Sequence, residues 1–130
     1  MSTITVTNIK ATGETASRSV SGVAAAWLNY NHPSNIVRQS LNVSSVTDNA
    51  TGHLTKNYTN NMSVNDHVVG CTAQESGGSG PASDRYITLA RGPSRLLAGS
   101  VQFVAGDVDD QMGTLRDQSI VVTTSHGDLA

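Results

Sequence analysis

The chain has 130 residues, with ten acidic against eight basic side chains, a net charge of −2 and an isoelectric point near 6.0. That length makes one domain with room for a core, and that charge leaves no basic field to hold a nucleic-acid backbone. Lys and Glu supply two residues each, whereas Ser, Thr and Val supply 16, 14 and 14, a balance that argues against helical surfaces and suits strand faces.

From the N-terminus, "TITVTNI" (residues 3–9) sets Ile4 and Val6 against Thr3, Thr5 and Thr7, the two-residue period of a half-buried strand. It is followed by a polar, Gly-punctuated stretch read as loop or weakly paired chain. "VAAAWLNYN" (23–31) alternates Trp27, Asn29 and Asn31 against Leu28 and Tyr30, and lacks helix caps, so a strand is expected. "NHPSN" (31–35) has the composition of a turn. In "IVRQSLNVSSV" Val37, Leu41 and Val43 share one face, with Arg38, Ser40, Asn42 and Ser44 on the other. Asp48 to Gly52 makes a turn and "HLTKNYT" returns with Leu54, Lys56 and Tyr58 on one side, which together predict a hairpin. Further strands are expected over 67–74 and in "RYITLAR", "SVQFVAG" and "SIVVTTS". The connections are "SGGSGPASD" (76–84), "GPSRLLAG" and "DVDDQMGTLRDQ". Seven or eight strands at this spacing imply an all-β, antiparallel β-sandwich or barrel, jelly-roll-like in kind. One domain over 1–130 is expected, with residues 1–22 as an N-terminal strand and extended arm and 23–130 as the body.

Chemical motifs are weak. "SGGSGP" lacks the Lys-Ser/Thr of a phosphate-binding loop. "DVDD" (Asp107, Asp109, Asp110) lacks the remaining ligand positions of a calcium loop and reads as a solvated acidic loop. His32, His53, His67 and His126 have no ligand spacing with one another or with Cys71. Ser125, His126 and Asp128 stand together in sequence, but neighbours on one strand point to opposite faces and cannot form a triad. No enzyme activity, cofactor or metal is expected. The lone Cys71 excludes an internal disulfide and reads as a buried, inert thiol. No apolar run approaches the ~20 residues of a membrane span, and "MSTITVTNIK" has no signal-peptide pattern, so synthesis in a cytoplasm and no membrane insertion are expected. Trp27, Tyr30, Tyr58, Tyr86 and Phe103 are dispersed rather than gathered into a base-stacking platform, and each is read as packing in a core or interface.

"AAAWLNYN…IVRQSLNVSSVTDNATGHLTKNYTNNMSVNDHVVG" resembles a module that recurs in bacteriophage virion proteins of tail-fibre-like type. The matching positions are Ala26, Trp27, Asn29, Tyr30 and Asn31, then Arg38, Ser40, Asn42 to Asn49, Thr51 and Gly52. The likeness covers residues 24 to 70, and the closing "VVTTSHGDLA" shares it more weakly. The chain departs from the pattern at Ala50, where the module has Gly, at "HPSN" in place of a Gly-Thr-Gly turn, and at His67, where an aromatic is common. The resemblance implies a virion component made in the bacterial host's cytoplasm. A homotrimer would close its strands about an axis. The implied partners are itself, other virion proteins of tail or capsid, and a glycan or protein of the host surface. Trp27, Tyr30, Ile36, Val37, Leu41, Val43, Tyr58 and Phe103 are the candidates for the core or a subunit seam. Two roles are open: a fibre or tail-appendage protein that displays loops for attachment or anchors a fibre, and a capsid decoration, cement or head-fibre protein that stabilises the head lattice.

Overall fold

The computed structural model describes residues 6–9, 18–19, 23–74, 85–90, 95–107 and 114–130. Among these the chain is all-β, in two antiparallel sheets that are not closed into a barrel. Strands are numbered in chain order: β1 Asn8–Ile9, β2 Arg18–Ser19, β3 Ala24–Asn31, β4 Ile36–Leu41, β5 Val43–Ala50 and β6 His53–Tyr58, then β7 Val68–Gln74, β8 Arg85–Leu89, β9 Leu96–Leu97, β10 Ser100–Asp107, β11 Thr114–Leu115 and β12 Ile120–His126. The first sheet runs β4-β3-β12-β7. The second is centred on β10, with β6, β5 and the short β11 on one side and β8 and β9 on the other.

The alternating segments account for the strands. On β3 the residues Ala26, Leu28 and Tyr30 turn inward, and on β12 Val121, Thr123 and Ser125 do the same. They meet Leu54 and Tyr58 from β6 and Val101, Phe103 and Ala105 from β10, so the core lies between the central strands of the two sheets. Met62 closes one end of it. The expected hairpin is β5–β6, but its turn is tighter than Asp48 to Gly52: β5 continues to Ala50 through an irregularity between Asp48 and Ala50, and Thr51–Gly52 alone makes the reversal. Gly52 takes φ +66, while Ala50 does not enter the left-handed region. Ala50 therefore fits the turn without a glycine, because Gly52 supplies the left-handed conformation.

Several sequence expectations need correction. Val37 and Leu41 do not enter the core with Val43: all six residues of β4 are exposed, Ile36 and Leu41 to 53% and 49%. As the outer strand of its sheet, β4 lies beyond the span that the opposite sheet covers, and only Val43, on β5, packs against the core. Trp27 faces away from the core and is half-buried. The segment before residue 23, read as loop or weakly paired chain, contains the two-residue β2, which pairs with β1 and fits that reading. β9 and β11 interrupt connections read as loop. Residues 3–5, the 76–84 loop, Asp109 and Asp110 lie outside the described residues.

Gly52 is the most constrained point of the hairpin. A Cβ there would stand 2.3 Å from the Ala105 carbonyl oxygen and 2.7 Å from the Arg116 nitrogen, and its backbone already accepts from Ala105 N–H at 2.7 Å. Gly52→Ala is expected to cost more than about 2 kcal/mol, since a forbidden φ and a backbone clash act together. Urea unfolding of the variant checks this, and a midpoint equal to that of the wild type would contradict it.

Candidate functional site

Three groupings of side chains compete for a functional role. The first is inside the core. Lys56 follows Leu54 and precedes Tyr58 on the inward face of β6 and is wholly enclosed, 0% exposed. Its Nζ donates to Thr123 Oγ1 and Ser125 Oγ, each at 3.0 Å, and lies 5.4 Å and 5.7 Å from the ring centroids of Tyr58 and Phe103. The Tyr58 hydroxyl bonds Ser125 Oγ and His67 Nε2, both at 2.8 Å. No salt bridge among the described residues reaches the ammonium. Burial therefore pulls the Lys56 pKa down to about 8, with a small opposing pull from Cys71. Burial also pushes Tyr58 up to about 12 and raises the Cys71 thiol. A lysine beside a serine hydroxyl is the arrangement of a base and its nucleophile. Here Ser125 and Thr123 are both fully enclosed, so neither oxygen is presented to a substrate. The cluster is a hydrogen-bonded core layer.

The second grouping lies at one end of the sandwich. His32, in the β3–β4 turn, is buried with Nε2 at 3.2 Å from Asp48 Oδ1 and Nδ1 at 3.4 Å from Asp117 Oδ1. The two carboxylates address opposite ring nitrogens, which leaves no common point where a metal could meet all three, and no metal-holding group occurs among the described residues. Asp117 also accepts the Gly52 N–H at 2.6 Å, and the His32 N–H donates to the Gln118 carbonyl at 3.1 Å. Asp107 was expected in a solvated loop. It is instead 2% exposed, paired with Arg85 and held by Arg116 Nε at 2.7 Å, with Gln118 Nε2 at 3.4 Å. The β3–β4 turn, the β5–β6 turn and the β11–β12 connection are thus locked together.

The third grouping is the outer face of the β4-β3-β12-β7 sheet. The pairing register sets its side chains in rows: Leu41, Trp27, Thr124 and Gly70; Gln39, Asn29, Val122 and Thr72; then Ile120 with Gln74, and Ala24, His126 and Val68. The rows across β3, β12 and β7 contain no Asp, Glu, Lys or Arg. Val68 is 68% exposed and Leu41 flanks Trp27 on the open side. Asn29 Oδ1 has no hydrogen-bond partner. The outer face of the other sheet is of the opposite kind. There Asn57 Nδ2 donates to Ser45 Oγ at 3.0 Å and Thr47 Oγ1 at 3.3 Å, Asn49 Nδ2 donates to Thr55 Oγ1 at 2.8 Å, and His53 Nε2 meets Gln102 Oε1 at 3.2 Å. That face satisfies its own polar groups and is complete in water. An antiparallel sheet ordinarily turns one such polar face to solvent. The Trp27 face has instead the uncharged, aromatic-centred mixture of a protein interface.

Of the sequence candidates, Tyr30, Tyr58 and Phe103 are core residues, and Val43 packs against them. Trp27 and Leu41 are paired on the outer face, Ile36 lies opposite Asn31 at the other end of β4, and Val37 lies exposed on β4 opposite Tyr30. Sequence reasoning missed Val68, Gly70, Ile120 and Val122 on this face. The signal was present in "SIVVTTS", where two alternating sets are both partly apolar. Ser125 and His126 do point to opposite faces: Ser125 bonds Tyr58 and Lys56, while His126 pairs beside Val68 outside. Cys71 is half-buried, with Sγ donating to the Ile87 carbonyl at 3.4 Å. No family model matches the chain, and neither does a curated protein or a solved structure.

The Lys56 environment makes stability depend on pH in a defined direction. Below pH 8 the side chain is protonated in folded and unfolded chains alike, so the cost of burying charge is carried in full. Between pH 8 and 10.5 the unfolded chain holds a proton that the folded chain releases, so stability rises with pH, by about 3 kcal/mol over the window. Cys71 and Tyr58 act oppositely inside the upper part of the same window, from the ordinary thiol value of 9.0 and the ordinary phenol value of 10.0 upward, because the unfolded chain loses their protons first, so the lysine's effect is read between pH 8 and 9. The comparison with Lys56→Met isolates the lysine. The variant is expected to be more stable at pH 7 by about 1–3 kcal/mol and to lack the rise between pH 8 and 9. Denaturant melts across that range check it, and equal slopes for the two proteins would refute the assignment.

Proposed function

We propose that the chain is a non-enzymatic structural protein of a bacteriophage virion, of the fibre or tail-appendage type. It works by fitting its surface to copies of itself and to neighbouring virion proteins. The observation that carries this reading is the contrast between the two outer faces: one a closed lattice of Ser, Thr, Asn and Gln, the other uncharged and centred on Trp27 and Leu41. Exposed apolar patches of that kind mark association surfaces. The resemblance over residues 24 to 70 supplies the virion setting, and with it manufacture in the bacterial cytoplasm.

The locked end of the sandwich suits the display of loops. His32 between Asp48 and Asp117, and Asp107 between Arg85 and Arg116, brace the turns against one another. A loop held in one conformation loses less entropy on contact with a host-surface glycan or protein. A decoration or cement protein of the head lattice is the second reading. The flat uncharged face favours it equally, because cement acts through buried area alone.

Composition of purified particles tests both. An appendage protein is expected at far lower abundance than the major capsid protein, and a cement protein at comparable abundance, by quantitative mass spectrometry. Absence of the chain from purified particles would overturn the virion assignment.

A further inference from the structure

The outer face of the first sheet is complementary to itself. On either side of the central strand β12, each row pairs a β3 residue with a β7 residue: Trp27 with Gly70 across Thr124, Asn29 with Thr72 across Val122, and Ala24 with Val68 across His126. Continuing the register places Asn31 beside Ile120, whose β7 neighbour is Gln74. We propose that two copies of the chain stack these faces on one another about a two-fold axis running along β12. This rests on the reading that the chain acts by association, and it names the surface and the occupant.

A two-fold along β12 leaves each row in place and lays β3 of one copy over β7 of the other. Trp27 then faces the partner's Gly70, where Thr124 Oγ1 stands 2.9 Å from the place a Cβ would take, so the indole lies flat over the Gly70 backbone and the Thr124 side chain. Asn29 faces the partner's Thr72 and Asn31 the partner's Gln74, so amides meet groups that can bond them. Ala24 faces the partner's Val68. On the axis Ile120, Val122, Thr124 and His126 meet their own copies, an apolar half of the seam followed by a polar half. The largest side chain lies on the smallest residue, Trp27 on Gly70, and the other rows set polar on polar or apolar on apolar, with no Asp, Glu, Lys or Arg buried. A single small residue at 70 is what this pairing needs opposite Trp27. Sheets packed face to face keep their strands within about 30° of each other, which this axis allows. The edges offer no equal alternative. β4 has a register irregularity beside Arg38, β5 has two, and β7 approaches β8 closely enough for the Cys71 thiol to reach the Ile87 carbonyl.

The footprint sets the strength. Only β3, β12 and β7 find a counterpart across this axis, β4 lying beyond the partner's β7; three strands ~4.8 Å apart and about seven residues long cover roughly 330 Å² on each copy, small for a specific interface, so dissociation at the high-micromolar end is expected.

Light scattering and sedimentation of the full chain from about 1 to 200 μM should show a rise from the 13.5 kDa monomer to twice that mass. The emission of Trp27, the chain's single tryptophan, should shift with the same midpoint. Val122→Cys, on the axis, should be joined to its own copy by a short bis-maleimide, whereas Thr47→Cys on the other sheet's outer face, and the wild type with its native Cys71, should not. Val122→Arg should remain monomeric with an unchanged circular dichroism spectrum. If that variant does not fold, the cross-linking result decides alone. A monomer throughout the range, or equal cross-linking through Thr47→Cys, would overturn the proposal. A trimer would overturn the two-fold while leaving self-association intact. Particle composition is a separate measurement, so failure of the virion reading is recognisable independently of this one.

Discussion

On β12 the inward turn of Val121, Thr123 and Ser125 obliges Ile120, Val122, Thr124 and His126 to face outward, because an extended chain alternates its side chains. β12 is a central strand of its sheet, with β3 and β7 hydrogen-bonded on either side over nearly its whole length. Its parity therefore propagates to both neighbours, and both faces of the sheet follow from it. One face meets β6 and β10 and becomes core. The other carries Ile120 and Val122, which are covered only in part.

The core so formed is unusually polar for a domain of this size. Lys56, Thr123, Ser125, Tyr58 and His67 make a continuous set of hydrogen bonds between the sheets, bordered by Leu28, Leu54, Val101 and Phe103. Hydroxyls and ring faces solvate the ammonium without a counter-charge, which is tolerable only because every partner is already fixed by its strand. Such a layer stabilises less than the same volume of aliphatic side chains, and it specifies more: a one-residue slip of β6 against β10 would bring Thr55 and Asn57 inward and put Lys56 in water. The apolar side chains missing from the middle of the sandwich are found on β4 and on the outer face of β3, β12 and β7.

Much of this was legible in the residues. Most strands of five residues or more coincide with a segment of two-residue periodicity or a short β-branched run, and the Leu54, Lys56, Tyr58 set was visible on one side of its strand, but "IVRQSLNVSSV", read as one run, is divided at Asn42 between β4 of one sheet and β5 of the other. What periodicity could not supply was which set faces in, since that depends on partners distant in sequence. Trp27 is the instructive case. Its alternation with Leu28 is plain, yet bulk and aromaticity suggest the core, and only the pairing of β3 with β12 turns it outward. Ile36, Val37 and Leu41, named for the core or a seam, lie outside the core for a different reason: an edge strand can be apolar and still lie outside the cover of the opposite sheet. Asp107 was read from its acidic neighbours, whereas Arg85 and Arg116, 22 and nine residues away in the chain, decide its environment.

The direction of the strands links the association face to the loop-bearing end. β3 ends and β4 begins beside His32, and the β5–β6 turn is bonded to Asp117 and Ala105 in the same region. At the opposite end Ala130 N–H donates to the Asn61 carbonyl at 2.8 Å and Leu129 pairs with Met62. An axis along β12 does not reverse the strands of one copy relative to the other. Both braced ends would therefore point the same way, and both C-terminal ends would gather at the opposite pole. A two-fold perpendicular to β12 would have sent the two sets of turns in opposite directions. The attachment role proposed above would need one pole for an anchor and the other for contact, and of the two-fold axes lying in the plane of the face, the one along β12 places the matched rows opposite each other while meeting that need.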